Sequence, residues 1–138
     1  MRFRRNLPLL ALIALFIVAA PASAATTAFR AEVHDLGACP GVDLCGTGVI
    51  QGYGRATTTL TFATLERVFT LDSDGSTLTL LLEPTGITGT RQNGTWTIIG
   101  GTGVFAGAEG SGEVWATATG IPGISDTALY RGTITTSG

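Results

Sequence analysis

Between Ile98 and Val114 the chain reads IIGGTGVFAGAEGSGEV, with six glycines in the thirteen positions from Gly100 to Gly112. An α-helix does not survive that density, because each glycine costs about 1 kcal/mol relative to alanine inside a helix. A strand running into glycines is also how a dinucleotide-binding fingerprint begins. That mechanism needs a helix to start at the glycines, so that its first amides hold a pyrophosphate. Here the run continues as AGAEGSGEVWATATG, too rich in glycine for a helix and then alternating like a strand. The run is therefore read as a corner between two strands. Gly100, Gly101 and Gly103 supply backbone conformations closed to other residues. Val104 and Phe105 turn in to plug one end of the fold, and Gly107, Gly110 and Gly112 bring the next strand close to its neighbour.

Alternation of apolar and polar residues elsewhere says what that corner connects. In FRAEVH, Phe29, Ala31 and Val33 oppose Arg30, Glu32 and His34; in TTTLTFA, Leu60 and Phe62 oppose Thr59 and Thr61. STLTLLLE sets Leu78, Leu80 and Leu82 on one face, TWTII sets Trp96 and Ile98 together, EVWATA separates Val114 and Ala116 from Glu113 and Trp115, and LYRGTIT separates Tyr130 and Ile134 from Arg131 and Thr133. Turn signals lie between these runs: DSDG, EPTG, QNG and GIPG. With the segments around Val49 to Tyr53 and RVFTL, about eight short strands are expected and no helix beyond the N-terminal segment. The fold class is all-β, a small antiparallel barrel of about eight strands, because closure removes the sheet edges that an open meander exposes. A two-sheet sandwich is the alternative architecture.

The N-terminus follows a different logic. Arg2, Arg4 and Arg5 precede an apolar run, LPLLALIALFIVAA, that ends in the small-residue box Ala22-Ser23-Ala24. Basic, apolar and small residues in that order read as a secretory signal helix over 1–24, too short for the roughly 20 residues of a membrane span. Residues 25–138 then form one domain, secreted or periplasmic, with no stable membrane anchor after cleavage. That domain holds five arginines, ten acidic residues and no lysine. Such a surface offers no footing for nucleic acid. In an oxidising compartment Cys39 and Cys45, in CPGVDLC, are expected to pair as a disulfide. The competing reading is a metal site, for which two thiolates and the single histidine, His34, are a poor ligand set.

The remaining candidates for chemistry are few. No serine sits in a nucleophile-elbow context, and His34 beside Asp35 reads as a strand-face residue. Asp72 and Asp74 in DSDG lack the further ligands of a calcium loop, and a hairpin turn accounts for them. Asn93-Gly94-Thr95 is formally a glycosylation sequon and equally an Asn-Gly hairpin turn. The lysine-free, arginine-using chain reads as bacterial. No metal and no cofactor is expected, and catalytic residues stay unassigned. If the interior is hollow, its lining is expected to include Trp96, Trp115, Tyr53, Tyr130, Glu66, Glu113 and Arg131. An inward Glu would have a raised pKa.

The pattern Gly100-Gly101-Thr102-Gly103-x-Phe105-x-x-Ala108-x-Gly110 resembles the corner motif of the allene oxide cyclase and dirigent barrel superfamily, with weaker support from YRGTI near the C-terminus. The resemblance spans about fifteen residues, and the CPGVDLC loop departs from it. What it implies is an eight-stranded antiparallel barrel of calycin type, a calycin-like fold whose plant relatives act on, or orient, hydrophobic substrates in the lumen. No catalytic residue of that superfamily transfers to a position here. The functional expectation is an exported barrel binding a small hydrophobic ligand or acting at the cell surface. The alternatives are a cyclase-like or dirigent-like isomerase, or a structural or protein-interaction module; homo-oligomerisation is left open.

Overall fold

The computed structural model describes residues 24–137. The expected signal segment therefore lies outside the described residues except for Ala24. The strands are β1 (Ala25–Cys39), β2 (Val42–Ile50), β3 (Gly54–Thr61), β4 (Glu66–Leu71), β5 (Thr77–Thr88), β6 (Arg91–Gly101), β7 (Glu109–Ala118) and β8 (Asp126–Thr136), and they close in sequence order into one antiparallel barrel. Closure is made by β1 and β8, which pair from Ala25↔Thr136 through Asp35↔Asp126. The barrel, not the sandwich, is the architecture, as the corner resemblance implies.

Inward and outward residues alternate because successive side chains of a strand point to opposite faces. Phe29, Ala31 and Val33 are buried on β1, Leu78 and Leu80 on β5, Trp96 and Ile98 on β6, and Tyr130 and Ile134 on β8. Most of the interior is filled by these side chains. Phe29 packs on Trp96 with ring centroids 4.9 Å apart, and Phe69 meets Tyr130 edge-on at 5.6 Å. Such tilted and edge contacts suit the quadrupoles of the rings.

The Trp96 indole shows how the glycines serve packing. Gly112 on β7 lies directly opposite Gly132 on β8. A Cβ on Gly112 would run into the Arg131 carbonyl, and one on Gly132 would meet the indole 2.7 Å away. The space left by both lets Trp96 Nε1 donate to the Glu113 and Arg131 carbonyls at 3.0 and 3.1 Å. A buried polar handle is thereby satisfied.

The antiparallel path puts alternate hairpins at opposite ends. The β2–β3, β4–β5 and β6–β7 connections share one end, which is closed. There the glycine run makes a single 3₁₀ turn, Gly103–Phe105, and no α-helix. Phe105 is fully buried and lies 4.7 Å from the Tyr53 ring. Gly103 takes φ +60, and its amide neighbour Val104 donates to Ser76 Oγ at 3.1 Å, tying the corner to the β4–β5 turn. Two expectations about the corner need correcting. Val104 is 49% exposed, so Phe105 plugs the end without it. Gly100 and Gly101 are not in the left-handed region; what Gly101 avoids is a clash with the Phe105 carbonyl.

Candidate functional site

The opposite end, where β1–β2, β3–β4, β5–β6 and β7–β8 turn, is open. A cavity of about 220 Å³ enters the barrel there. Its walls are mostly apolar: Leu44, Leu60, Leu82, Val114, Ala116 and Ala128, with Phe62, Leu65 and Pro84 also in the lining. Leu65, in the β3–β4 connection, holds φ 57, the one non-glycine residue with positive φ among those described. That conformation costs a branched side chain of the order of 1 kcal/mol. Its carbonyl accepts from Leu82 N at 2.9 Å, which secures the connection against β5.

The cavity also meets a polar cluster that the alternation of three strands delivers. Asp35 follows Phe29, Ala31 and Val33 on the inward face of β1; Arg67 shares its face of β4 with Phe69 and Leu71; Asp126 and Tyr130 share theirs on β8 with Ala128. Arg67 Nη1 and Nη2 donate to the two Asp35 carboxylate oxygens at 2.7 and 2.9 Å, and Arg67 Nε donates to Tyr130 Oη at 2.8 Å. Asp35 and Arg67 are 1% and 2% exposed, so this fork is held out of water, where a bidentate pair is strongest. The chain therefore carries a charge pair inside a domain whose charged residues are otherwise almost all outside.

Asp126 completes the cluster. It lies directly across from Asp35 in the β1–β8 register, and its Oδ1 is buried without a hydrogen-bond partner. Two carboxylates facing one another repel, so one of them keeps a proton. Burial, the hydrogen bond with Asp35 and the Asp35 charge push Asp126 up to about 7. Burial also works against ionised Asp35, but the hydrogen bonds from Arg67 and Asp126 and the Arg67 charge outweigh it and hold its carboxyl below the usual range. The hydrogen bond between the two acids exists only while Asp126 is protonated, since a carboxylate has no donor. Burial raises the Tyr130 hydroxyl, which stays protonated. Arg67 stays charged: burial disfavours its cation, while Tyr130 and Asp35 favour it more. The cluster is thus neutral with Asp126 protonated and carries one negative charge once that proton leaves.

The residues expected to line the interior are divided by strand parity. Tyr130 lines the cavity. Trp96 is buried in the filled part of the barrel, and Tyr53 packs against the core beside Phe105 at the closed end. Glu113, Trp115 and Arg131 stand on the outer face, where the Arg91 and Arg131 guanidinium carbons lie 5.7 and 5.6 Å from the Trp115 ring centroid. Glu66 pairs with Leu81, itself 42% exposed, so it too faces outward. In each charged case a neighbour holds the inward place: Arg67 instead of Glu66, Val114 instead of Glu113, Tyr130 instead of Arg131. Asp35, Arg67 and Asp126 were the residues that sequence reasoning missed. For Asp35 and Asp126 the signal was the parity of their own strands, set by Phe29, Ala31 and Val33 on β1 and by Ala128 and Tyr130 on β8; β4 offered none for Arg67.

Cys39 and Cys45 lie near the open end as free thiols. They hydrogen-bond to one another, which with burial and the Cys45 charge pushes Cys39 up to about 11. Among the described residues no group of three or more His, Cys, Asp or Glu side chains is placed to hold a metal ion. A second depression, about 430 Å³, is lined by Glu32, His34, Thr47, Val49, Arg55 and Asp72 with neighbouring backbone. These are mostly the outward residues of β1 to β3, and His34 there lies 3.2 Å from both Glu32 Oε1 and Thr127 Oγ1. It has neither the apolar walls nor the buried polar groups of the barrel cavity.

No protein-family model and no curated protein sequence matches the chain. Among solved structures it is similar to a pterocarpan synthase dirigent protein, at 15% sequence identity and a TM-score of 0.45, over 83% of this chain and 90% of that one.

Proposed function

We propose that this chain is an exported β-barrel that holds one small, largely apolar molecule in the cavity at its open end. The observation that carries the reading is the asymmetry of the interior: Phe105 seals one end, while at the other about 220 Å³ of apolar-walled space reaches a buried ion pair. Pockets for drug-sized ligands start near 300 Å³. The space here equals about seven water volumes at ~30 Å³ each. The occupant is accordingly of single-ring size. Export and the pairing of Cys39 with Cys45 as a local staple belong to the same proposal.

A second reading rests on Asp126. A carboxyl pushed up to about 7 by burial and a facing acid, beside an apolar cavity, can give or take a proton at neutral pH. An isomerase or cyclase acting on a hydrophobic substrate, the activity type of the barrel superfamily whose corner motif the sequence resembles, would use it as acid and base. Binding is the common requirement of both readings.

Methyl-detected NMR with benzyl alcohol as a probe tests it. Shifts are expected for Leu44, Leu60, Leu82 and Val114, with Leu78 and Ile134 unmoved. Absence of any shift at millimolar probe, together with no retained small molecule in native mass spectrometry of the exported protein, would remove the binding reading.

A further inference from the structure

We infer that the cavity selects an apolar ammonium, a single-ring primary amine in its charged form, over a neutral or anionic molecule of the same shape; this rests on the binding reading above. The cavity lining carries three carboxyl groups, Asp35, Glu83 and Asp126, against one guanidinium, Arg67. Both terminal nitrogens of that guanidinium are already turned to Asp35, which also cancels its charge. An incoming carboxylate would meet no free cation and two further acids. Asp126, which lines the cavity, has one carboxyl oxygen, Oδ1, that is buried with no donor to satisfy it. An ammonium brings donors and no acceptor, and its positive charge takes the place of the proton on Asp126. A neutral alcohol supplies a donor without the charge.

The charged groups around Asp126 come from each side of the cavity. Asp35 faces it from β1, Arg67 from β4, Glu83 from β5 and Tyr130 from its own strand, while β2, β3 and β7 present apolar side chains and β6 presents amides. His34 stands on the outer face of β1 and, when protonated, favours ionised Asp35. Ammonium binding requires Asp126 to be ionised. The sign follows: affinity is greatest above about 7 and falls as pH drops through that value. One linked proton gives up to about a hundredfold weaker binding at pH 5 than at pH 8.

The test compares benzylamine, benzyl alcohol and benzoate, one ring with three head groups, by titration calorimetry with the full chain at pH 8 and pH 5. Benzylamine is expected to bind at least tenfold more tightly than the alcohol at pH 8, and benzoate not at all. Asp126→Asn keeps the shape and the hydrogen bond to Asp35. It is expected to remove the benzylamine preference over the alcohol and its pH dependence. Glu83→Gln, at the exposed rim, is expected to weaken benzylamine by a few-fold and is independent of the fold of the cluster. If the alcohol binds as tightly as the amine, or Asp126→Asn leaves the preference intact, the ammonium inference is wrong and the binding reading stands. If none of the three binds, the binding reading itself fails and the inference with it.

Discussion

The two ends of the barrel are built from the same strands and solve opposite problems. At the closed end the chain turns through glycines, Phe105 enters the interior and Tyr53 stacks beside it, so side chains fill the space. At the open end β1, β4 and β8 place Asp35, Arg67, Asp126 and Tyr130 where a barrel of this size would ordinarily place aliphatic residues. Replacing a buried ion pair by apolar groups is often neutral or stabilising. The open end has therefore kept a costly arrangement where the closed end has not. One end is closed by packing, and the other holds a buried polar cluster beside an apolar cavity.

That contrast is most exposed to substitutions at its two anchors. Arg67→Ala leaves Asp35 buried without its partner and is expected to cost about 3–5 kcal/mol in denaturant unfolding. The double change Arg67→Met with Asp35→Leu should recover most of it; failure to recover would mean that the pair does more for the fold than hold itself. Phe105→Ala is expected to cost a similar ~3–5 kcal/mol through the cavity it leaves. It should leave probe binding at the open end unaltered. Loss of binding there would break the separation of the ends.

A smaller effect sharpens the electrostatics. Asp126 is raised in the folded chain from the ordinary aspartate value of 3.8 to about 7, so the folded state holds a proton that the unfolded state has released. The stability this gives is complete below the unfolded value and is lost as pH rises through the folded one. The melting temperature is expected to fall between pH 5 and pH 8, and Asp126→Asn should flatten that fall. Asp35 acts on the other flank, its stabilisation lost in acid as pH falls through its lowered value. The smallest effect belongs to the outer surface. Trp115→Ala removes two exposed cation–π contacts and is expected to cost about 1 kcal/mol with no change in ligand binding.

Much of the barrel was legible in the chain because alternation and turn residues act locally. Phe29, Ala31 and Val33, or Trp96 and Ile98, announce their face by composition alone. The glycine corner was legible for the same reason, and its exclusion of a helix held through a lone 3₁₀ turn. The candidate site was harder, because side chains with period 2 change face on a shift of one residue. In ERVF, Val68 and Phe69 are both apolar, so the segment does not say whether Glu66 or Arg67 points inward. On β1 the phase is clear and Asp35 takes the next inward place after Val33, yet an acid there gives no local sign of the guanidinium that pairs with it. Its pairing with Arg67 joins residues 32 positions apart, and its opposition to Asp126 depends on closure of β1 against β8. Neither is written in any local window.

The open end keeps its polar cluster dry enough for one acid of a facing pair to remain protonated near neutrality. Carbon-detected NMR titration of the Asp side-chain carboxyls measures this directly. A midpoint near 7 for Asp126, with Asp35 ionised throughout the neutral range, is the expected result. An Asp126 midpoint near 4 would show that the facing pair is solvated and that neither acid holds a proton at neutral pH.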